Sequence, residues 1–448
     1  MAELRKDVAA IGQQLKADGV KYAIAGYTDL HGNLKGKMVP IDHFADMAKG
    51  SELFTGAALD GLPQDVSDPE LSAHPDLSRG IIMPWRKDVA LYLSNLFIGD
   101  DEFEASTRNV LRRQIAAAEE MGFTFNLGVE TEFFVLREDD SNTVSNRDNL
   151  SKPCYTIPSM LDNLDWLGRM VDYMNDLGWD VYSFDHEDAQ GQFEIDFDYS
   201  DGLTMADRVV IFRTMANEVA REHGYFASFM AKPFAERTGS GAHFNMSLAD
   251  VDGRNLFEAD DDPRGAGLSE LGYRFAAGVL KHAAAICAVI APTVNSYKRL
   301  VRGGSMSGST WAPIFVSCGN NNRTNLLRIP QGGGRIECRA VDASCNPHLA
   351  AAMLLAAGLE GIREELTLDS FHTENLYEVD PRDYESRGLE LLPRTLEEAV
   401  NAFEADPFSK EVCGEAFVSS FTEYKREEWE SYATTVTEWE LDRYLKFF

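Results

Sequence analysis

The stretch that decides the fold is Phe125–Leu136, FNLGVETEFFVL. Its apolar residues recur at every second position, which is the pattern of a β-strand with one buried face. Glu130 and Glu132 then lie together on the opposite face. The side chains predicted to face the core are Phe125, Leu127, Val129, Phe133 and Val135.

Three further segments alternate in the same way, namely Gln192–Phe197, Ala242–Leu248 and Arg335–Ala340. Each one alone is better explained as a solvated scaffold strand. Together they place an unusual set of polar side chains on sheet positions: Glu194, His243, Asn245, Ser247, Arg335, Glu337 and Arg339.

The carboxylates in this pattern need cations if they share one face, because like charges directly opposite each other destabilise a sheet. With Glu187, which follows His186, the pattern offers five glutamates and the imidazole of His243. Glutamate oxygens with a single imidazole suit Mg²⁺ or Mn²⁺ and suit structural zinc poorly. The sequence therefore predicts two metal ions. The alternative for His243 is a buried core histidine, and for His186 a structural role is favoured.

Five arginines recur on the same part of the chain. A guanidinium fork matches carboxylate and phosphate oxygens bidentately, so a basic cluster in an acidic protein indicates an anionic substrate. A surface ion pair remains the alternative for any single arginine. The run Gly303–Thr310, either a mobile lid or a flexible turn, lacks the lysine of a P-loop, so metals and arginines would bind the phosphates. The arginines are Arg299, Arg323, Arg328, Arg335 and Arg339.

Composition narrows the class of protein. The formal net charge of −31 opposes binding to nucleic acid phosphates and to anionic membrane surfaces. The six cysteines form no CxxC pair, which argues against a zinc module or a disulfide scaffold and fits a reducing compartment. We find no signal-peptide pattern and no apolar stretch long enough to span a bilayer. We expect a cytoplasmic protein with neither a nucleic acid nor a membrane partner.

The length of 448 residues predicts two domains. The first contains a hairpin at 22–39 and a loop-rich stretch at 50–80, dense in Asp, Pro, Ser and Gly. A helix at Ser106–Met121 opens the second. We therefore place the boundary near residue 104, which gives domains at 1–104 and 105–448.

A set of longer motifs accompanies these residues: Gly128–Phe134, His186–Glu187, Gly191–Glu194, Gly239–Leu248, Tyr297–Val301, Asn322–Arg323, Leu327–Pro330, Arg335–Arg339, Asn346–Leu349 and Val436–Leu445. In these motifs the chain resembles the glutamine synthetase family from its N-terminal domain to its C-terminus. The resemblance implies an α+β fold, with a small ubiquitin-like β-grasp domain over 1–104 and a catalytic domain over 105–448 that contains a curved antiparallel sheet. It also implies a homododecamer of two stacked hexameric rings, in which the N-terminal domain completes a neighbour's site.

The same resemblance implies a reaction and its cofactors. ATP would phosphorylate the γ-carboxylate of glutamate, and a small amine would then displace phosphate from γ-glutamyl phosphate. Mg²⁺ or Mn²⁺ would bind at two positions, one near the substrate carboxylate and one on the ATP phosphates. Their ligands would be Glu132, Glu187 and Glu194 for the first, and Glu130, His243 and Glu337 for the second.

The anion-binding residues follow from the resemblance as well. Arg299 would bind the α-carboxylate of glutamate beside Gly239 and Gly241, and Glu187 would also lie near this substrate. Arg339 would act at the γ-carboxylate as a catalytic residue. The nucleotide would contact Ser247 and Asn245, and its transferring phosphoryl group would contact Arg323, Arg328 and Arg335, with Arg323 catalytic.

The amine site departs from that of ammonium-using relatives in two places. Their Asp-Gly-Ser-Ser segment corresponds here to Asp60–Pro63 (DGLP), and Trp311 replaces their flap glutamate before Ala-Pro. The loss of two polar contacts and the gain of an indole indicate an acceptor with an apolar part, such as methylamine. In these features the chain looks like the γ-glutamylmethylamide synthetase branch of the family. Asp60 is the candidate general base, supplied to a neighbouring subunit, and Tyr155 is a further member of the amine pocket.

Two other functions stay open. The same metal and phosphate residues permit ordinary glutamine synthesis from ammonium. A non-catalytic structural or binding relative is the remaining class, and the complete set of metal-site residues argues against it. Tyr377 matches a position that some relatives modify with a nucleotide, although a packing role is favoured for it.

Overall fold

The structure of the protein is a computed structural model that describes residues 2–303, 305–308 and 310–448, with side chains from residue 7 onward. Gly304 and Ser309, both in the run considered as a lid or a turn, lie outside the described residues. Two β-sheets, with helices packed around them, organise the described chain.

The first sheet lies in the N-terminal part of the chain. Its strands are β1 (Tyr22–Thr28), β2 (Leu34–Pro40), β3 (Glu52–Phe54), β4 (Leu71–Pro75), β5 (Ile81–Ile82), β6 (Val89–Ile98) and β7 (Asp101–Glu102), accompanied by helices α1 (Ala2–Ala17) and α2 (Phe44–Met47). The strand order is β2-β1-β6-β4-β3, and β5 and β7 both pair with β6. The predicted hairpin is confirmed, because β1 and β2 pair antiparallel from Tyr22–Pro40 to Thr28–Leu34. β1 runs parallel to β6.

The stretch 50–80, predicted to be loop-rich from its composition, also includes regular structure. It contains β3 and β4, which pair with each other, and β4 also pairs with β6. Leu71 and Ala73 are buried there. Strands of three and five residues are too short to show a readable alternation among so many turn-forming residues.

The second sheet contains nine strands in the described chain: β8 (Thr124–Arg137), β9 (Val181–His186), β10 (Gln192–Phe197), β11 (Ser200–Asp201), β12 (Tyr225–Ser228), β13 (Ala242–Ala249), β14 (Cys318–Asn320), β15 (Leu327–Ile329) and β16 (Ile336–Cys338). The order is β14-β15-β16-β13-β8-β10-β9, and β11 and β12 both pair with β8. All pairs are antiparallel except β14 with β15, so the predicted antiparallel sheet is a mixed one. Strands of three residues are too short for the sequence to indicate their direction. The observed β16 is also shorter than the predicted strand 335–340, because alternation alone does not mark where a strand ends.

The register of the second sheet confirms the alternation predicted for β8. All five side chains predicted to face the core are buried. The polar side chains of neighbouring strands therefore meet on the other face. The directly opposed residues are Glu132 with Glu194, Glu130 with His243, and Glu337 with Asn245.

The remaining helices cover the sheets and fill the core. They are α3 (Thr107–Glu120), α4 (Ile157–Asp162), α5 (Leu164–Asp176), α6 (Gly202–Glu222), α7 (Glu270–Lys281), α8 (Ala283–Ile290), α9 (Pro347–Arg363), α10 (Leu396–Ala405), α11 (Pro407–Cys413), α12 (Glu415–Ala433) and α13 (Glu438–Tyr444). α9 is apolar along nearly its whole length and is buried. Across residues 2–303, 305–308 and 310–448, no single helix is long and apolar enough to cross a membrane. The helices α7 and α8, bent by 78° relative to each other, are long and apolar enough to cross a membrane only when they are taken together.

Arg108, on α3, connects the N-terminal sheet to helices α6 and α9. Its Nε and Nη2 donate to the two carboxylate oxygens of Asp207 on α6, at 3.0 and 2.8 Å. Nη2 also lies 3.1 Å from the carboxylate of Asp76, the residue after β4. His348 on α9 completes the group, with its Nε2 2.8 Å from Asp207 Oδ1. All four residues are largely or fully buried, so this network fixes how the two parts of the chain sit together.

Candidate active site

A cavity of about 530 Å³ opens where the polar side chains of the second sheet meet. It collects acidic residues from β8, β10 and the end of β9. Its basic residues come from β15, from the loop before β15, from both ends of β16 and from Arg299, which follows a short 3-10 helix at Ser296–Lys298. The predicted site residues that line it are Glu130, Glu132, Tyr155, Glu187, Glu194, Gly239, His243, Arg299, Trp311, Arg323, Arg328, Arg335 and Arg339. The fold therefore brings together most of the residues that the sequence pattern nominates.

Hydrogen bonds orient the two glutamates of β8. The Oε2 atom of Glu132 accepts from the backbone N–H of Gly241 at 2.7 Å and from the Gln192 amide at 3.2 Å. Glu130 Oε1 accepts from the Asn245 amide at 2.9 Å, and its Oε2 lies 3.2 Å from His243 Nδ1. Each glutamate thus keeps a fixed orientation towards the cavity.

Two overlapping groups of side chains in the cavity can hold a metal ion. The groups are Glu132, Glu187 and Glu194, and Glu130, Glu194 and His243. Within each group the potential ligand atoms lie within 4.8 Å of one another. Carboxylate oxygens with one imidazole are a donor set that fits Mg²⁺ or Mn²⁺. The first group is the predicted one. In the second, Glu194 stands where the prediction has Glu337.

Glu337 is held by arginines. Its Oε2 accepts from Arg328 Nη1 at 2.5 Å, its Oε1 accepts from Arg339 Nη1, and His243 Nδ1 lies 3.6 Å from Oε1. Burial opposes the charged form, but Arg339, His243 and Arg328 outweigh it and lower the pKa of Glu337 to about 2. Glu337 is therefore an ionised carboxylate placed between the metal-binding groups and the arginines.

The other carboxylates of the cavity repel one another. Burial, followed by the charges of Glu132 and Asp185, raises the pKa of Glu187 to about 8. Burial and the Glu187 charge raise the pKa of Glu194 well above its ordinary value. Burial and neighbouring glutamates raise the pKa of Asp196 to about 7 and that of Asp185 to about 6. Divalent cations bound among these groups would offset the repulsion, so the electrostatics fit a metal site.

Arg299 packs against the two glycines predicted beside it. It is buried, and its Nη1 and Nη2 donate to the carbonyls of Ala340 and Arg339 at 3.1 and 2.9 Å. A Cβ on Gly239 would lie 2.9 Å from Arg299 Cγ, and one on Gly241 would lie 2.7 Å from Arg299 Nη2. Both positions require glycine for the guanidinium to reach the cavity wall.

A second cavity, of about 400 Å³, adjoins the first, and Glu130 and Arg335 line both. Asn245 and Ser247 line only the second, together with Gly332–Gly334. Arg335 Nε donates to Asn245 Oδ1 at 3.0 Å. Asn245 and Ser247, predicted for the nucleotide, therefore lie beside the metal-binding groups, and Asn245 hydrogen-bonds Glu130 directly.

Two residues predicted for the amine pocket have left-handed backbones. Trp311 has φ of 56° and Tyr155 has φ of 63°. Trp311 is 45% exposed and Tyr155 is 68% exposed. The Trp311 indole donates to Asp188 Oδ2 at 2.7 Å, and its carbonyl accepts from Arg339 Nη2 at 3.1 Å. This end of the cavity is built from loops, in contrast to the sheet-built acidic end.

Asp60 does not line either cavity of its own chain. Its carboxylate lies 3.5 Å from His31 Nε2 and hydrogen-bonds the Tyr424 side chain. Tyr377 contacts the loop that contains Trp311. Its hydroxyl donates a hydrogen bond to the carbonyl of Ala312. A packing role for Tyr377 agrees with this contact.

The cavity also contains residues that the sequence pattern does not nominate: Cys154, Tyr182, Asp185, Asp188, Asp196, Thr238 and Thr310. Asp196 carries a readable signal, because it follows Glu194 by two positions on β10. Asp185 stands opposite Glu194 in the register of β9 and β10, which only the structure reveals. Asp188 lies in a loop, where no periodicity marks it.

Comparison with known proteins adds to this geometry. The family described as glutamine synthetase, catalytic domain, matches residues 104–444. The chain belongs to the glutamine synthetase family. Enzymes of the glutamine synthetase family use ATP and divalent metal ions, which agrees with the two acidic groups in the cavity.

Three similar proteins in the glutamine synthetase family refine the comparison. A glutamate–methylamine ligase from Methyloversatilis universalis is 40% identical over 97% of this chain and 98% of the relative. A glutamine synthetase from Rhizobium leguminosarum bv. phaseoli is 40% identical over 98% of this chain and 99% of the relative. A solved structure of a GmaS–ADP complex has a TM-score of 0.91 and 38% identity, covering 97% of this chain and 99% of that one.

Proposed function

We propose that the protein is an ATP-dependent ligase that joins the γ-carboxylate of L-glutamate to a small amine, with methylamine as the preferred acceptor. The observation that carries this proposal is a single cavity that contains both metal-binding groups and, next to them, the buried or half-buried arginines Arg299, Arg328 and Arg339. The similarity to a glutamate–methylamine ligase along nearly the whole chain supports it.

The reaction needs two steps. A γ-carboxylate oxygen of glutamate attacks the γ-phosphorus of ATP, which gives γ-glutamyl phosphate and ADP. The amine nitrogen then attacks the carbonyl carbon, phosphate leaves, and the nitrogen loses a proton. Divalent cations, when bound, would neutralise charge on the carboxylate and on the transferring phosphoryl group. The products from methylamine are γ-glutamylmethylamide, ADP, phosphate and a proton.

The residues divide between these tasks. Arg299 binds the α-carboxylate of glutamate and Arg339 lies at its γ-carboxylate, where a buried guanidinium stabilises developing negative charge. Asn245 and Ser247 line the nucleotide cavity. The phosphoryl group is bound by Arg323, Arg328 and Arg335, and the metal ligands are Glu130, Glu132, Glu187, Glu194, His243 and Glu337.

Methylamine is favoured by the amine end of the cavity. Trp311 offers an indole where ammonium-using relatives have a glutamate, and Pro63 replaces a polar residue after Asp60 and Gly61. An apolar surface suits a methyl group and leaves a bare ammonium ion with fewer polar contacts. Glutamine synthesis remains the second candidate, because the relative from Rhizobium leguminosarum is a glutamine synthetase of equal identity.

The same family membership supports a proposal for assembly and location. We propose a homododecamer of two hexameric rings in which Asp60 of one subunit acts as the general base in a neighbour's cavity, beside Tyr155. The N-terminal part, residues 1–104, is a β-grasp domain, and residues 105–448 form the catalytic domain. The protein acts in the cytoplasm.

The decisive experiment measures ADP release with glutamate and Mg²⁺ or Mn²⁺, and with methylamine, ethylamine, ammonium or no amine at matched concentrations. We expect the highest kcat/KM with methylamine. A higher value with ammonium would identify a glutamine synthetase instead. Absence of glutamate-dependent ADP release with every amine would leave only a non-catalytic relative.

A further inference from the structure

Asp188 connects two loops that lie far apart in the sequence. Its Oδ2 atom accepts a hydrogen bond from Trp311 Nε1 at 2.7 Å and another from Ser307 Oγ at 2.5 Å. Both donors belong to the segment that contributes Thr310 and Trp311 to the cavity lining, within the described residues 305–308 and 310–313. One carboxylate oxygen therefore fastens this segment to the loop that follows β9.

Trp311 is held from its other side as well. Its carbonyl accepts from Arg339 Nη2 at 3.1 Å, and Arg339 is itself buried and paired with Glu337. The left-handed backbone of Trp311 is unfavourable for a residue with a side chain. Such a conformation persists where surrounding contacts over-determine it, and strained residues of this kind cluster at ligand-binding sites. The two anchors, one on the indole and one on the carbonyl, satisfy that condition.

Asp188 also contacts the acidic end of the cavity. Its backbone N–H donates to Glu187 Oε2 at 2.9 Å. The same residue thus touches a carboxylate of one metal-binding group with its backbone and the Trp311 indole with its side chain. Asp188 thereby links the position of the indole to a metal-binding carboxylate, and not only to the loop that carries Trp311.

We propose that Asp188 is a positioning residue that sets the acceptor specificity of the cavity. By fixing the Trp311 indole, it fixes the size of the space left for the amine beside Tyr155. The inference rests on the proposed ligase function and deepens it, because it names the residue that selects a one-carbon amine over larger ones. The Asp188 side chain hydrogen-bonds Ser307 and Trp311, whereas its contact with Glu187, predicted near glutamate, is made by the backbone N–H, which a substitution retains.

The test compares Asp188→Ala, Asp188→Asn, Trp311→Phe and the double variant Asp188→Ala/Trp311→Phe. Asp139→Ala, which removes an exposed carboxylate from another loop, is the matched control. We expect Asp188→Ala to raise KM for methylamine about tenfold, the size of a lost hydrogen bond to a charged group. KM for glutamate should stay within about twofold, and the preference for methylamine over ethylamine should fall. Asp188→Asn retains an oxygen acceptor and should fall between wild type and Asp188→Ala.

The double variant decides whether the two residues act together. If Asp188 acts through Trp311, the double variant should match the more severe single variant, whereas independent residues give additive free energies. Additive effects, or equal increases in KM for glutamate and methylamine, would overturn the inference while leaving the ligase proposal intact. A wild-type protein that releases no ADP with any amine would overturn the ligase proposal itself.

Tryptophan fluorescence tests the same inference in variants that have lost activity, because it does not depend on turnover. The fluorescence of Trp311 is obtained as the difference between wild type and Trp311→Phe, and between Asp188→Ala and the double variant. We expect acrylamide to quench the Trp311 component more strongly once Asp188 is removed. Unchanged quenching would show that Asp188 does not position the indole.

Discussion

His243 stands directly opposite Glu130 in the register of β13 and β8, and its Nδ1 atom lies 3.2 Å from Glu130 Oε2. The pairing is set by the apolar residues that alternate with them along each strand, because a one-residue slip of either strand would turn its polar side chains into the core. Backbone register, rather than loop conformation, therefore fixes the acidic end of the cavity.

Removal of one metal-group carboxylate should weaken metal binding and turnover together. Glu132→Gln keeps the shape of the side chain and the hydrogen bond acceptor but loses the charge, so we expect kcat to fall by about 10²–10³-fold or more. Mn²⁺ should raise the melting temperature of the wild type, because a ligand that binds only the folded state stabilises it. It should raise that of the variant less, because only the group of Glu130, Glu194 and His243 is left intact. Glu138→Gln, an exposed residue just after the same strand, is the control. A Mn²⁺-dependent shift as large in Glu132→Gln as in the wild type would show that Glu132 is not a ligand.

Arg339→Lys should retain the fold and lose catalysis. Lysine keeps the charge beside Glu337 but cannot present the guanidinium fork that also reaches the Trp311 carbonyl. We expect kcat to fall by about 10²-fold, with a smaller change in KM for glutamate, because the lost contacts act on developing charge. Steady-state kinetics with saturating ATP measure both constants. A rate close to wild type would exclude Arg339 from the reacting end of the cavity.

The buried pair of Arg108 and Asp207 should make stability depend on pH. Burial opposes the charged form of Asp207, but Arg108 and the hydrogen bond from His348 outweigh it and lower the pKa of Asp207 below its usual range. A lowered folded-state pKa contributes stability above the unfolded pKa of about 3.9, and that stability is lost as the pH falls through the folded value.

Asp207→Asn should accordingly be destabilised at pH 7 by about 3 kcal/mol, because Arg108 loses its closest buried partner. The deficit relative to wild type should begin to shrink as the pH falls below about 4, because the unfolded wild-type chain then takes up a proton at Asp207 that the folded protein does not bind. Urea unfolding at pH 7, 5 and 3.5 measures it, and Asp139→Asn should show no such trend. A deficit that stays constant down to the lowest pH would contradict the assigned ionisation of Asp207.

Shared sites between subunits should be detectable by mixing. Asp60→Ala and Glu132→Gln should each be inactive alone. If Asp60 acts in a neighbour's cavity, co-expression in equal amounts should restore about a quarter of wild-type activity, because random assembly pairs one intact half with the other in that fraction of sites. No recovery in mixed oligomers of confirmed composition would place Asp60 in its own subunit or outside the reaction.

The acidic half of the site could be predicted from the sequence because strand periodicity is a direct readout of side-chain direction. Glu130, Glu132, Glu194 and His243 are all read from alternation, and the register places them as expected. Glu337 shows the limit of such reasoning, since alternation places it on the correct face but cannot foresee that arginines occupy both of its oxygens.

The loop-built half could not be predicted in this way. Asp188 and Tyr155 lie in segments whose conformation depends on long-range contacts, and left-handed residues other than glycine have no reliable sequence signal. Asp185 faces the cavity only because β9 pairs with β10 in one particular register. The short strands β3, β14 and β15 are formed by their neighbours rather than by their own alternation.

One half of the site is built from strands and the other from loops, and this difference determines which residues can change without loss of the fold. An insertion in β8 would exchange both of its faces at once, so the ATP and glutamate machinery is inherited as a block. The residues proposed to surround the acceptor lie in loops, so they can be exchanged without a change of strand register, with Asp188 and Trp311 changed together because one holds the other. Laboratory evolution towards bulkier amines should therefore begin at Tyr155, Asp188 and Trp311, with the strands left untouched.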